Sequence, residues 1–292
     1  MILSEYDKHI QETLSASLSA LESYFEADVI FFYGPIYNQR TKTFRDFIEL
    51  LKGDSNTKNR LVVFLNTGGG EAEAVESFVD IIRYHYKEVY FVVPDYAMSA
   101  GTIFCMSGDK IYMDYTSALG PIDPQVYNGK DFVPALGYLD QVERMVEKSK
   151  NNELTDAEFV ILQNLDLAVL SRYEQAKNLT VTLLKKWLVE YKFKDWNKHE
   201  TDPLKKGQNV TVEEKQKRAE SIANSLGSNQ LWHSHRRKIN ISALRNHLKL
   251  KIEDYSDEES LRKKIRFYND ILVEYILRQN YSSFLHSRIY FL

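Results

Sequence analysis

Tyr96-Ala97-Met98-Ser99-Ala100-Gly101-Thr102 lies between two apolar runs, Val89-Tyr90-Phe91-Val92-Val93 before it and Ile103-Phe104-Cys105-Met106 after it. The first run, rich in β-branched and aromatic residues, predicts a buried strand, and the second predicts a helix that starts just past the serine. Ser99 then stands at the turn, with its hydroxyl at the carboxyl end of a strand. The first helical turn leaves backbone N–H groups without intrahelical partners, and these can stabilise negative charge. That is the geometry of a nucleophile elbow, although the sequence is not the hydrolase pentapeptide. Small residues at such a turn also serve plain close packing, so the stretch alone leaves both readings open.

A second loop bears on the choice. The run 61–65 ends in Asn66-Thr67-Gly68-Gly69-Gly70. Consecutive glycines leave backbone amides uncovered and permit positive φ. After them Val75, Phe78, Val79 and Ile82 fall at i, i+3, i+4 and i+7, which predicts an amphipathic helix over 71–86. The glycines therefore also sit at a helix N-terminus, a natural anion site. A phosphate loop is disfavoured, because no Lys-Ser or Lys-Thr follows and the dinucleotide glycine spacing is absent.

The remaining pattern orders these pieces. Strands are predicted at 27–33, 61–65, 89–93 and 110–113, alternating with helices at 41–52, 71–86 and from Ala100. Such alternation implies a parallel sheet with right-handed crossovers. Ligand sites in these sheets lie beyond the carboxyl ends of the strands, where both the glycine loop and Ser99 stand. After Lys130 the chain turns helical. Thr155-Asp156-Ala157-Glu158 is a capping-box pattern that predicts one long helix to about Lys177. The polar stretch 192–209 predicts an exposed loop. Thr211-Val212-Glu213-Glu214 and Ser256-Asp257-Glu258-Glu259 predict two further helices. In the last, Leu261, Ile265, Tyr268, Leu272, Tyr275 and Ile276 form an apolar stripe that reads as core or subunit contact.

Composition narrows the classes. The 292 residues can bury a substantial core, and 43% hydrophobic with 27% charged residues is ordinary for a globular protein. A net charge of −3 gives no reason to expect nucleic acid or an acidic membrane surface as partner. The lone Cys105 rules out an internal disulfide and a cysteine cluster for zinc, and in its apolar setting reads as a packing residue. Nothing in the sequence asks for a metal or cofactor. The apolar runs fall well short of the roughly twenty residues that span a bilayer. The polar, amphipathic 1–24 has no secretory apolar region, so a cytoplasmic protein is expected.

The two loops together resemble the Clp protease/crotonase superfold, and within it the serine dehydrogenase proteinase family, related to signal peptide peptidase A and the Clp proteolytic subunit. Leu65-Asn66-Thr67-Gly68-Gly69-Gly70 is similar to the family's strand-Thr-Pro-Gly-Gly loop, with Gly68 where proline is common. Ala97-Met98-Ser99-Ala100-Gly101-Thr102 is the second block. Leu119-Gly120-Pro121-Ile122-Asp123-Pro124-Gln125 is close to Leu-Gly-Pro-Val-Asp-Pro-Gln. The match is firm over 27–126 and looser to 254. It implies an α/β, Clp protease/crotonase-like parallel sheet with βα repeats and additional C-terminal helices. The expected division is an N-terminal helical segment 1–26, a peptidase domain 27–255 and a C-terminal helix 256–292 as a subunit contact.

The same resemblance implies serine peptidase chemistry on a peptide or protein substrate by a homo-oligomer. Ser99 is the implied nucleophile, with the amides of Gly70 and Ala100 as the oxyanion hole. The backbone near Gly69 suits an extended peptide bound by strand addition. A serine hydroxyl needs a neighbouring base. Of the seven histidines, His9, His85, His199 and His286 read as solvated or packing residues and His247 as structural. That leaves Leu231-Trp232-His233-Ser234-His235-Arg236-Arg237-Lys238-Ile239. This block resembles the family's Trp-x-x-His-Gly-Arg-Pro-Ile, which sets His235 on the family's histidine, with Arg236 for glycine and Lys238 for proline. A basic solvated turn is the competing reading. In signal peptide peptidase A relatives the base is a lysine of lowered pKa, and Lys130 and Lys177 are the candidates here. Asp123 either orients the base or caps a turn between prolines. Two other classes remain in view: a crotonase-like acyl-CoA enzyme using the same amides, which Ser99 argues against, and a catalytically degenerate regulatory scaffold.

Overall fold

A computed structural model describes residues 4–127, 132–200 and 203–291. Ser4 opens the first helix, α1 (Glu5–Phe25), through a capping box with Asp7. Then come β1 (Asp28–Tyr33), α2 (Thr41–Lys52), β2 (Arg60–Asn66), α3 (Ala72–His85) and β3 (Glu88–Val93). The elbow region is β4 (Tyr96–Ala97), α4 (Ala100–Met106), β5 (Lys110–Met113) and β6 (Ala118–Leu119). A hairpin of β7 (Gln125–Tyr127) and β8 (Phe132–Pro134) leads into α5 (Ala135–Lys150), α6 (Asp156–Gln163) and α7 (Leu167–Trp187). The chain closes with α8 (Val212–Gly227), α9 (Asn229–Trp232), α10 (Ile241–Asn246), β9 (Glu253–Asp254), α11 (Glu259–Arg278), β10 (Phe284–Ser287) and β11 (Tyr290–Phe291).

The central sheet has the order β11-β10-β1-β2-β3-β5-β9. From β1 to β9 its strands are parallel, as the βα alternation requires. Alternate residues of each strand serve two cores, as the two-residue period demands. Ile30, Phe32, Val63 and Phe91 pack beneath α2, α3 and α4, whereas Val29, Phe31, Val62 and Val92 pack beneath α1 and α11. The apolar stripe of α11 is core: all six of its residues are buried in the second cluster. Residues near the two ends of the chain thus share one core. The antiparallel edge β10–β11 has no counterpart in the sequence reading, because four residues of mixed polarity, Phe284-Leu285-His286-Ser287, show no period. Its register pairs Phe31 with His286. Arg288, just past β10, meets the fully buried Asp28 at 2.8 Å, together with Glu22 and Asp54, and so ties this edge to β1.

Three local expectations are corrected. The helix predicted from Thr155 to about Lys177 is two helices, because the Asp166 side chain accepts from the N–H groups of Ala168 and Val169 and starts α7 afresh. The stretch 192–209 is not wholly exposed. A π turn over Leu188–Lys192 delivers Phe193 into the core, and Lys198 bridges Asn209. Helix α11 begins at Glu259 without a side-chain cap, since Ser256 is engaged by Asp254 at 2.5 Å.

His286 is buried and accepts or shares a 2.7 Å hydrogen bond with the Tyr268 hydroxyl. Burial lowers its pKa to about 4. In the unfolded chain an imidazole takes its proton near 6.5, so between about 6.5 and 4 the unfolded state binds more protons than the folded one. Stability is expected to fall as pH drops through that window, with a His286 contribution on the order of 3 kcal/mol that is absent in His286→Phe, so that the wild-type curve is the steeper of the two. Urea titrations of both proteins from pH 7 to 4 measure it; parallel curves refute the assignment.

Candidate active site

Four chain segments meet at the carboxyl ends of the strands through backbone pairing. Thr67 pairs with Ala97, Ala97 with Leu119, and Leu119 with Ile239. The bonds are short: Met98 N–H to the Thr67 carbonyl at 2.9 Å, and Leu119 and Ile239 exchanging bonds of 3.0 and 2.8 Å. A further bridge joins Ile36 to Gly70. Each segment carries one chemically distinctive group close to its point of pairing.

Ser99 is the N-cap residue of α4 and has φ 51° and ψ −117°. Non-glycine residues at positive φ are strained by about 1–3 kcal/mol and persist where the surroundings over-determine them. Here the surroundings are specific. A Cβ on Gly69 would stand 2.8 Å from the Ser99 Cβ, so only glycine lets the loop approach the serine this closely. A Cβ on Gly70 would collide with the Ile36 carbonyl oxygen at 2.0 Å, so Gly70 is also required by packing. Gly68 has open space around it, in keeping with its replaceability. The Gly69 N–H donates to the Thr67 hydroxyl at 3.0 Å. Among the described residues the N–H groups of Gly70 and Ala100 meet no acceptor.

His235 and Asp123 form the second half of the site. Nδ1 of His235 lies 2.7 Å from Oδ1 of Asp123, and Asp123 is fully buried. The other carboxylate oxygen accepts from Gln125 Nε2 at 3.0 Å. A buried carboxyl group needs hydrogen-bond partners, and both oxygens of Asp123 have one. The bond to Nδ1 leaves Nε2 as the ring nitrogen free for other work. Ser99, Ala100, Gly70 and His235 line one cleft of about 930 Å³, walled by Ala176, Leu179 and Thr180 of α7. No hydrogen bond joins the Ser99 hydroxyl to His235, whose partner is Asp123.

The lysine candidates fare differently. Lys130 lies outside the described residues. Lys177 is on α7 but is not part of the cleft lining. Desolvation lowers Lys192 to about 8, yet that residue neighbours Cys105 and Glu253, away from the cleft. Cys105 itself is fully buried, and burial pushes its thiol up, as suits a packing residue.

Sequence reasoning missed the residues that connect these parts. Buried Thr102 shares its one hydroxyl proton between the Ala97 carbonyl at 2.8 Å and the Gly120 carbonyl at 2.9 Å, and its oxygen accepts from the Gly120 N–H at 2.9 Å. It thereby ties the elbow to the loop bearing Asp123. Thr67 both caps Gly69 and packs its methyl where a Gly101 side chain would go. Gln125 holds Asp123. All three stood inside the quoted motifs, and for Thr102 and Gln125 a polar side chain between apolar neighbours was the available signal.

The chain belongs to the ClpP-like SDH-type serine proteinase family, whose profile matches residues 25–229. Two uncharacterized proteins of Methanocaldococcus jannaschii are similar to it. One is 31% identical over 136 residues, 47% of this chain and 43% of the relative. The other is 30% identical over 122 residues, 41% and 40% respectively. The chain thus matches less than half the length of these curated relatives. Among solved structures, a mutant membrane-bound stomatin-specific protease is 14% identical, with 81% of this chain and 82% of that chain covered and a TM-score of 0.46. A second mutant of it, in complex with a substrate peptide, is 16% identical, with 81% and 78% covered and a TM-score of 0.45. A ClpP1 mutant from Listeria monocytogenes is 14% identical, with 56% and 77% covered and a TM-score of 0.34. Among the described residues no helix is long and apolar enough to cross a membrane.

Thr102→Val keeps the shape but strips three buried backbone groups of their partner. It is expected to cost about 1–3 kcal/mol. Thr102→Ser, which keeps the hydroxyl, should recover most of that loss. Denaturant midpoints of the three proteins give the comparison, and an unchanged midpoint for the valine variant excludes the role.

Proposed function

We propose that this member of the family is a serine peptidase that cleaves peptide bonds by acyl transfer through Ser99. One observation carries the reading. A serine at positive φ shares a cleft with two unpartnered backbone N–H groups and with a histidine backed by a buried carboxylate. Each of these features costs stability by itself, and together they form the set that acyl transfer needs.

In this mechanism His235 Nε2 takes the Ser99 proton as Oγ attacks the scissile carbonyl. Asp123 holds the ring through Nδ1 and stabilises the imidazolium that forms. The N–H groups of Gly70 and Ala100 receive the developing oxyanion. The imidazolium then gives its proton to the leaving amine, and water, deprotonated by the same histidine, releases the acyl group. The glycine loop beside Gly69 offers backbone to an extended substrate, which favours main-chain contacts over side-chain selection there.

A fluorophosphonate probe followed by peptide mapping tests the assignment. The adduct is expected on Ser99 and absent from Ser99→Ala. His235→Gln should slow labelling and peptide cleavage by at least about a hundredfold, on the scale of losing a catalytic base. Lys177→Met and Lys130→Met should leave both rates near wild type. Labelling that survives Ser99→Ala refutes the nucleophile. An active His235→Gln beside a dead lysine variant transfers the base to that lysine. A folded protein that neither labels nor cleaves supports the regulatory scaffold instead.

A further inference from the structure

Two residues of the cleft have no part in the chemistry above. Arg236 and Lys238 line the same cavity as Ser99 and His235, whereas Arg237 between them does not. They are also the two positions where the 231–239 block departs from the family pattern it resembles, with cations in place of glycine and proline. Their backbone is held from both sides. His235 is anchored on Asp123, and Ile239 exchanges two hydrogen bonds with Leu119. Between these anchors a tight turn closes, with the Arg237 N–H on the Ser234 carbonyl at 3.0 Å.

Neither cation has an acidic partner among the described residues. Glu71 and Glu73, at the start of α3, line the same cleft but form no ion pair with them. The cleft therefore carries two cations in the histidine turn that no carboxylate pairs directly, with Glu71 and Glu73 elsewhere along its lining. The histidine that takes the serine proton returns it to the leaving amine, so the leaving segment of a substrate passes beside His235 and the residues that follow it.

We propose that Arg236 and Lys238 select substrates carrying a carboxylate on the leaving-group side of the scissile bond. The proposal rests on the serine peptidase reading. The carboxylate comes from an aspartate or glutamate side chain, or from the free C-terminus of a short leaving segment. Guanidinium and ammonium groups bind it by charge-assisted hydrogen bonds, strengthened as the substrate displaces water from the cleft.

The test uses the full chain and a set of synthetic peptides. Each carries glutamate or glutamine at the first or second position after the cleaved bond, in C-terminal acid and amide forms. Cleavage is followed by mass spectrometry, and probe labelling of Ser99 is measured on the same preparations. Wild type is expected to favour the carboxylate-bearing peptide by about tenfold in kcat/KM, the scale of one charge-assisted contact. The preference should shrink as salt rises. In the double variant Arg236→Gln, Lys238→Gln it should fall below about twofold, and because both side chains are exposed the fold is not at risk. A preference confined to glutamate peptides identifies a side-chain carboxylate; one confined to C-terminal acids identifies the terminus. Labelled, active enzyme that prefers neither glutamate over glutamine peptides nor C-terminal acids over amides overturns this proposal and leaves the peptidase reading intact. So does a preference that survives in the double variant. Absence of both labelling and cleavage overturns the two together.

Discussion

The site depends on one row of paired backbone, Thr67 with Ala97, Ala97 with Leu119, and Leu119 with Ile239. These four segments are far apart in sequence, and backbone pairing joins all four, with the His235–Asp123 and Thr102–Gly120 contacts added to it. Backbone N–H and C=O groups at the strand ends must find partners once buried, and pairing with one another satisfies them. The consequence is positional. Gly70 follows Thr67, Ser99 follows Ala97, Asp123 follows Leu119 and His235 precedes Ile239, each by only a few residues. Side chains so close to a fixed backbone contact have little freedom to leave the cleft. The row therefore converts a generic requirement, satisfied backbone hydrogen bonds, into a specific constellation.

Local strain and buried charge are tolerated because this frame is rigid. Ser99 at φ 51° is sustained by the glycine loop on one side and the fully buried α4 on the other. Asp123 is buried completely, yet both of its oxygens accept hydrogen bonds, one of them from His235. Thr102 passes constraint between the elbow and the aspartate loop through three hydrogen bonds. The elbow and the acid–base pair are therefore coupled through buried contacts, where a lost hydrogen bond is costly. The histidine turn, 233–238, reaches solvent, as do Gly68 and Gly70 of the glycine loop, and Arg236 and Lys238 of that turn are without ion-pair partners among the described residues.

Much of this was legible in advance where the signal is local. The strand at 110–113 and the helix at 41–52 appear as read, because a short apolar alternation or an amphipathic period reflects burial on one face. The glycine loop and the Ser99 turn were legible because small residues at strand ends have few other uses. The break between α6 and α7 was not, since Asp166 caps a helix only if the chain has already turned there. The edge β10–β11 was also hidden. Its four residues gain strand geometry from pairing with β1, not from their own propensity.

For the site, the sequence by itself determined the inventory: a serine between small residues, three successive glycines, an aspartate between prolines and a histidine in a basic block. It could not decide between His235, Lys130 and Lys177, nor whether Asp123 capped a turn or faced a base. Tertiary structure set Nδ1 of His235 at 2.7 Å from Asp123 and left Lys177 out of the cleft lining. The physical reason is range. Propensity and periodicity act over a few neighbouring residues, whereas the His235–Asp123 contact spans 112 residues and lies beside the Leu119–Ile239 bridge that joins the two segments.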